Sequence, residues 1–193
     1  MLYRIKKLKS FFQFTMAKKI IIGSGDTKIK GWLSTSKKSL DVSNRHHFAK
    51  YWKKNNISNF LAEHVWEHLN ESERYNANNN IMHYLKLGGK LRIAVPDGLH
   101  PSEEYINNVK PMGSGAGAED HKILFNYKIL KSELEDAGFT VELLEYWDEF
   151  GNFNFIDWSP KEGFVERSKD NDPRNTKSEL NYTSLIIDAI KKK

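Results

Sequence analysis

Apolar positions along the chain recur in short runs separated by turn residues. Lys18 to Ile22 is an apolar run stopped by Gly23-Ser24-Gly25-Asp26, which predicts a buried strand and a turn. Gly31-Trp32-Leu33-Ser34-Thr35 predicts a second short strand, and Arg45 to Lys54, with Phe48, Tyr51 and Trp52 on one face, a short helix. Ile57 to Val65 is again strand-like. In Asn70-Glu71-Ser72-Glu73 a capping side chain precedes a carboxylate by three residues, which opens a helix that Gly88-Gly89 is expected to close. Lys90 to Val95 follows as a strand ended by Pro96-Asp97-Gly98.

Further on, Pro101-Ser102-Glu103-Glu104 opens another helix, and Met112 to Ala118, rich in glycine, reads as a flexible loop long enough to act as a lid. A helix over residues 126–137 stops at Gly138. Thr140 to Trp147 alternates like a half-exposed strand, Tyr182 to Ile190 supplies the last strand, and residues 148–181 between them are polar and irregular. This order predicts an α/β fold: a mostly parallel sheet with helices on both faces. The last two strands lack a helix between them, so an antiparallel hairpin is expected at the sheet's edge.

The length of 193 residues suits one core, taken as residues 18–193 behind a tail of residues 1–17. In the tail Leu2, Ile5, Leu8 and Phe12 alternate with bases, a pattern open to a small amphipathic helix and peripheral membrane contact, although a plain tail is the favoured expectation. Met16, just before the first strand, could equally be a start. No run of about 18 apolar residues spans a bilayer. The chain has no cysteine, which removes disulfide frameworks, thiolate nucleophiles and cysteine zinc sites and permits a reducing compartment; a cytoplasmic location is expected. The net charge of +5 resides in the termini, leaving 21 basic against 25 acidic residues in residues 20–190, so nucleic-acid binding is not expected.

In an open parallel sheet, ligands bind beyond the carboxyl ends of the strands. Gly23-Ser24-Gly25 lets a ligand approach the backbone closely. A dinucleotide fingerprint would need a third glycine where Lys28 stands, and no helical pattern follows the turn. His64-Val65-Trp66-Glu67-His68 matches the H-x-x-E-H pattern of inverted zinc peptidases, but that motif needs one helix and this segment straddles a strand end, so no metal ligand is assigned.

The segments Ile20-Ile21-Ile22-Gly23-Ser24-Gly25, Gly31-Trp32-Leu33, Ala62-Glu63-His64-Val65-Trp66-Glu67-His68-Leu69 and Leu87-Gly88-Gly89-Lys90-Leu91-Arg92-Ile93-Ala94-Val95-Pro96-Asp97 together resemble the compact, type-11-like class I S-adenosylmethionine-dependent methyltransferases. The resemblance implies a Rossmann-like fold with S-adenosylmethionine as cofactor. It implies that Gly23, Ser24 and Gly25 line the cofactor's methionine end and that Glu63 and His64 lie near the sulfonium. Where an acidic residue is expected to hold the ribose, Ser34-Thr35-Ser36 stands instead, with Ser36 at the strand's end and Asp41 beyond it by the adenine.

Methyl transfer needs alignment, exclusion of water and, for a weakly acidic acceptor, a base. His64, His121 and Asp97 are the catalytic candidates, and Arg167 and Arg174 the candidates for an anionic substrate. The expected acceptor is a small molecule or glycan. The alternatives are a non-catalytic binding module on the same fold and, third, the zinc peptidase.

Overall fold

The computed structural model of the chain describes residues 11–192. Its sheet comprises β1 (Lys19–Ile22), β2 (Leu33–Ser34), β3 (Ile57–Glu63), β4 (Leu85–Pro96), β5 (Thr140–Trp147), β6 (Phe153–Phe155) and β7 (Ser184–Ile190), in the spatial order β2-β1-β3-β4-β7-β5-β6. The first four strands run parallel; β7 is inserted antiparallel between β4 and β5, and β6 pairs antiparallel with β5. The expected antiparallel pair is present, but β7 is interior and the edge belongs to β6, which the polar stretch after Trp147 conceals. Strand order reverses at β1, where β2 lies to one side and β3 to the other, and a ligand crevice opens at such a switch.

Besides the helical residues 11–16, four α-helices accompany the sheet among the described residues: α1 (Arg45–Ala49), α2 (Glu71–Tyr84), α3 (Glu103–Val109) and α4 (Tyr127–Asp136). The capping box is formed: the Asn70 side chain accepts the Glu73 N–H at 3.0 Å while the Glu73 carboxylate accepts the Asn70 N–H at 2.9 Å. Helix α2 ends four residues before the Gly88-Gly89 pair, because Leu85 turns extended and pairs with Ile57. The Lys191 ammonium caps that end, donating to the carbonyls of Met82 and Leu85. Helix α1 is likewise shorter than the span to Lys54 that its aromatic face suggested.

One sheet face carries the main core, where Phe48 of α1, Ala77 and Ile81 of α2, and Leu130 and Leu134 of α4 pack over Ile20, Phe60, Ile93 and Ile187. The opposite face, with Ile21, Leu61, Ala94, Leu144 and Ile186, is covered by Val165 and by Ile29, Trp32 and Trp158 from non-helical segments. Helices were expected there too. The cover instead has no helical period, and buried polar groups of the sheet pin it. The Glu145 carboxylate accepts the Trp158 indole N–H and the Lys169 N–H, each at 2.8 Å. Arg92 donates to the carbonyls of Ser159 and Gly163.

The proposed membrane-surface pattern falls mainly on residues 1–10, outside the described residues. Residues 11–16 are helical, and Phe14 is buried, its ring 4.4 Å from that of Tyr51, while the Trp52 indole donates to its carbonyl at 2.7 Å. Packing into the core therefore begins inside the stretch read as tail. Among the described residues no helix is long and apolar enough to cross a membrane.

Candidate functional site

The carboxyl ends of β1 and β3 meet at a set of adjoining cavities. After β1 the chain turns at Gly23 (φ +59°) and Gly25 (φ +51°), both in the left-handed region. A Cβ on Gly23 would lie 2.7 Å from Cγ2 of Val65, whereas one on Gly25 would meet nothing within 4 Å. Gly23 is thus fixed by packing as well as by φ, and Gly25 faces open space. The turn is tied to β2 by the Ser24 N–H, donated to the Thr35 carbonyl at 2.8 Å. Gly23, Ser24 and Gly25, with Ile21, Glu63, His64 and Arg167 among the other walls, line a cavity of about 440 Å³. A smaller cavity of about 220 Å³, holding Asp41, Lys37, Leu40 and Val65, reaches the same Gly23 and His64.

His64 follows β3 at φ +52°, a left-handed conformation uncommon for a side chain of its size. Its Nε2 is 3.2 Å from Ser184 Oγ, and its Nδ1 is 3.2 Å from Oε1 of Glu67, without hydrogen-bond alignment to that oxygen. The turn directs His64 towards a third cavity of about 620 Å³, which also holds His68, His121, Arg167, Arg174 and Tyr182. His121 Nδ1 donates to the Val109 carbonyl at 2.7 Å, since a carbonyl can only accept, and its Nε2 is left with a lone pair. The structure therefore brings His64, His121, Arg167 and Arg174 together around one cavity.

Other candidates are placed differently. Asp97 lines none of these cavities: it is fully buried, and its carboxylate accepts the N–H groups of Leu99 at 3.0 Å and Trp147 at 2.8 Å. Burial pushes its pKa up to about 6, against the lowering effect of those two bonds. Asp97 joins the end of β4 to the end of β5, a structural task in place of the catalytic one expected of it. Ser36 is exposed in a turn closed on Ser39 and lines none of the cavities. Asp41 does line one, although its Oδ1 is engaged by the N–H and hydroxyl of Ser43. Glu63 touches the glycine-turn cavity while its carboxylate accepts the N–H groups of Glu166 and Arg167.

The arginines are also partnered. Arg174 makes a two-point contact with Asp172 and lies 3.5 Å above the Tyr182 ring; its pKa is raised, first by its side-chain bonds to Asp172. Arg167 Nη1 is 3.6 Å from Glu63 Oε1. An incoming anion must share these guanidinium groups with carboxylates already present.

The expected lid is a closed turn. Ser114 and Gly115 donate to the carbonyls of Asn107 and Asn108, Met112 to that of Ala118, and Ala118 to that of Gly115. The H-x-x-E-H reading fails on geometry, because His64 lies at positive φ outside the single 3₁₀ turn Trp66–His68, so its two histidines do not share a helix. Nor does a helix follow the glycine turn, as a dinucleotide site would need. Tyr182 and Tyr105, which line the large cavity, carry no sequence signal: they are brought there from the bend before the last strand and from α3.

No protein-family model and no curated protein matches the chain. Solved structures do. An S-adenosylmethionine-dependent methyltransferase from Mesorhizobium loti superposes with a TM-score of 0.52 at 8% identity, over 94% of this chain and 96% of that one. A chain from the complex between the Haloferax volcanii Trm112 methyltransferase activator and a methyltransferase gives a TM-score of 0.50 at 12% identity, over 95% and 88% of the two chains. The chain has the Rossmann-like class I methyltransferase fold, with strand order reversing at β1 beside the glycine turn.

Proposed function

We propose that the chain binds S-adenosylmethionine at the Gly23–Gly25 turn and passes its methyl group to a polar small-molecule or glycan acceptor in the adjoining cavity. The observation that carries this reading is the position of His64, which lines both the cavity at the glycine turn and the larger one of the histidines and arginines. Both volumes lie in the range of ligand sites, about 300–1,000 Å³. The open space beside Gly25 supports the fit of a ligand against that backbone.

Bound there, the cofactor would supply a sulfonium methyl open to in-line attack. The chain's part is alignment and proton transfer. His64 Nδ1 faces the Glu67 carboxylate, which favours a proton on Nδ1 and leaves Nε2, now beside Ser184 Oγ, as the atom that takes the acceptor's proton. Tyr182, Asn181 and Asn108 offer polar contacts suited to a hydroxyl-rich acceptor. The second reading, a binding module without catalysis, is favoured by Ser36, which stands where a ribose-binding acid is expected and faces none of the cavities.

Calorimetric titration with S-adenosylmethionine and S-adenosylhomocysteine tests the cofactor, and S-adenosylhomocysteine release across hydroxylated and anionic acceptors tests the transfer. Saturable binding lost in Gly25→Val, together with acceptor-dependent release, supports the enzyme. Binding without release on any acceptor leaves the module, and no binding of either compound overturns both.

A further inference from the structure

Glu67 is buried to 1% exposure in the turn after β3, and neither of its carboxylate oxygens has a hydrogen-bond partner among the described residues. An ionised carboxylate in that setting costs several kcal/mol unless something compensates it. Its nearest neighbours are imidazoles: His64 Nδ1 lies 3.2 Å from Oε1 without hydrogen-bond alignment, and Oε2 has no hydrogen-bond partner. One ligand atom each from Glu67, His68 and His121 lies within 4.8 Å of the others.

We infer that Glu67, His68 and His121 form a binding site for a divalent transition-metal ion beside the large cavity, which His68 and His121 line. Two features besides the orphaned carboxylate point to a ligand. The His121 Nδ1–H is donated to the Val109 carbonyl, which fixes the tautomer and ring and presents the Nε2 lone pair. His68 Nδ1 lies 3.4 Å from Oδ2 of Asp120, the outer carboxylate common behind a metal-bound histidine, and its Nε2 is the remaining donor. The two rings meet edge to face with centroids 4.7 Å apart.

A tetrahedral ion with bonds of about 2.0–2.1 Å holds its ligand atoms roughly 3.4 Å apart, so the three side chains must close by up to about 1.4 Å. Two imidazoles and one carboxylate suit zinc or iron(II) and leave coordination positions open. His68 and His121 line the cavity that also holds Arg167 and Arg174, so an ion held by them could take an oxygen of whatever ligand enters there. That last role rests on the methyl-transfer reading, whereas binding of the ion does not.

This set differs from the H-x-x-E-H arrangement. His64, a ligand there, contacts Ser184 with its Nε2, and Glu67, a base there, becomes a ligand; His121, 53 positions beyond His68 in the numbering, supplies the second imidazole.

The test is zinc binding by the full-length chain without cofactor, read by competition with a chromophoric chelator, with cobalt(II) as a spectroscopic probe. One ion per chain is expected. Loss of an outer-sphere partner already costs 10–100-fold in affinity, so Glu67→Gln and His121→Asn should each weaken binding by about 100-fold or more, and Asp120→Asn by about 10-fold. His46→Gln, at an exposed histidine, should change nothing. Circular dichroism checks that each variant is folded, and His121→Asn serves if Glu67→Gln is not. Absence of saturable binding, or affinity undiminished in folded Glu67→Gln or His121→Asn, overturns the site.

Discussion

Arg92 and Asp188 face each other across the β4–β7 seam as register partners, with Nε to Oδ1 at 2.7 Å and Nη2 to Oδ2 at 2.8 Å, both shielded from solvent. The remaining guanidinium nitrogen, Nη1, reaches the carbonyls of Ser159 and Gly163, and the Trp158 ring lies 4.6 Å from the guanidinium. One buried ion pair therefore joins the inserted strand to the irregular cover of the second sheet face.

Removing either partner leaves a buried charge, which costs about 3–5 kcal/mol. The two removals are not equivalent. Lys90 Nζ is 3.4 Å from Asp188 Oδ2 and can serve the carboxylate when Arg92 is lost, but among the described residues no second carboxylate lies within ion-pair distance of Arg92, Glu162 acting on it only from further off while bonded to Lys90. Urea unfolding should therefore rank Asp188→Ala as more destabilising than Arg92→Met. Equal losses, or the reverse order, would show that the seam is not held in this way.

Asp97 and His100 oppose each other in the acid range. The Asp97 pKa is raised to about 6 by burial, so between pH 4 and 6 the folded chain keeps a proton that the unfolded chain has released. Stability then falls as pH rises through that window, by on the order of 3 kcal/mol from this group. The His100 pKa is lowered to about 4, again by burial, so below pH 6.5 the unfolded chain takes a proton that the folded chain refuses. Its contribution falls as pH drops. His100→Phe, which keeps the ring stacked on Tyr105, should gain stability relative to the parent on going from about pH 7 to 5. Parallel stability–pH curves for the two proteins would refute the assignment.

The glycine turn offers a substitution that separates folding from binding. A side chain at Gly25 enters open space and carries only the left-handed backbone penalty, about 1–2 kcal/mol, whereas one at Gly23 also strikes Val65. Gly25→Val should melt somewhat below the parent and lose S-adenosylmethionine binding. Gly23→Val should melt lower still. A folded Gly25→Val protein with undiminished affinity would remove the turn from the cofactor site.

What was legible in the sequence is what local periodicity and capping control. The bounds of β5 follow from the alternation over Thr140–Trp147, and the start of α2 follows from Asn70 and Glu73. His64 and the glycine turn could be singled out as candidates because strand ends and sharp turns leave local marks, and both line the cavities. The end of α2 was hidden because Lys191, far along the chain, caps it. Asp97 and Glu63 read as functional because both stand at carboxyl ends of strands. Asp97 is turned inward by Trp147, and the Glu63 carboxylate is engaged by the N–H groups of Glu166 and Arg167; these partners lie in segments whose positions no nearby residue dictates. The cover over the second face was illegible for the same reason: its pins, Glu145 and Arg92, are remote in sequence.

The loop of residues 112–118 provides the last prediction. Its glycines suggested high backbone entropy and a mobile lid, yet two of the three, Gly113 and Gly115, sit where the loop touches α3. A Cβ on Gly113 would fall 2.6 Å from the Asn108 carbonyl and 2.7 Å from that of Asn107, and one on Gly115 2.7 Å from the former, so both are demanded by close approach. The amides of Met112, Gly113, Ser114, Gly115 and Ala118 all donate to carbonyls of the loop or of α3 and its end. Hydrogen exchange at these amides should be slowed by about 10-fold or more in the ligand-free chain, with little further change on adding S-adenosylhomocysteine. Gly113→Ala should abolish the protection by forcing the loop off α3. Exchange at the unprotected rate in the free protein, slowed only by ligand, would restore the lid and make its ordering part of binding.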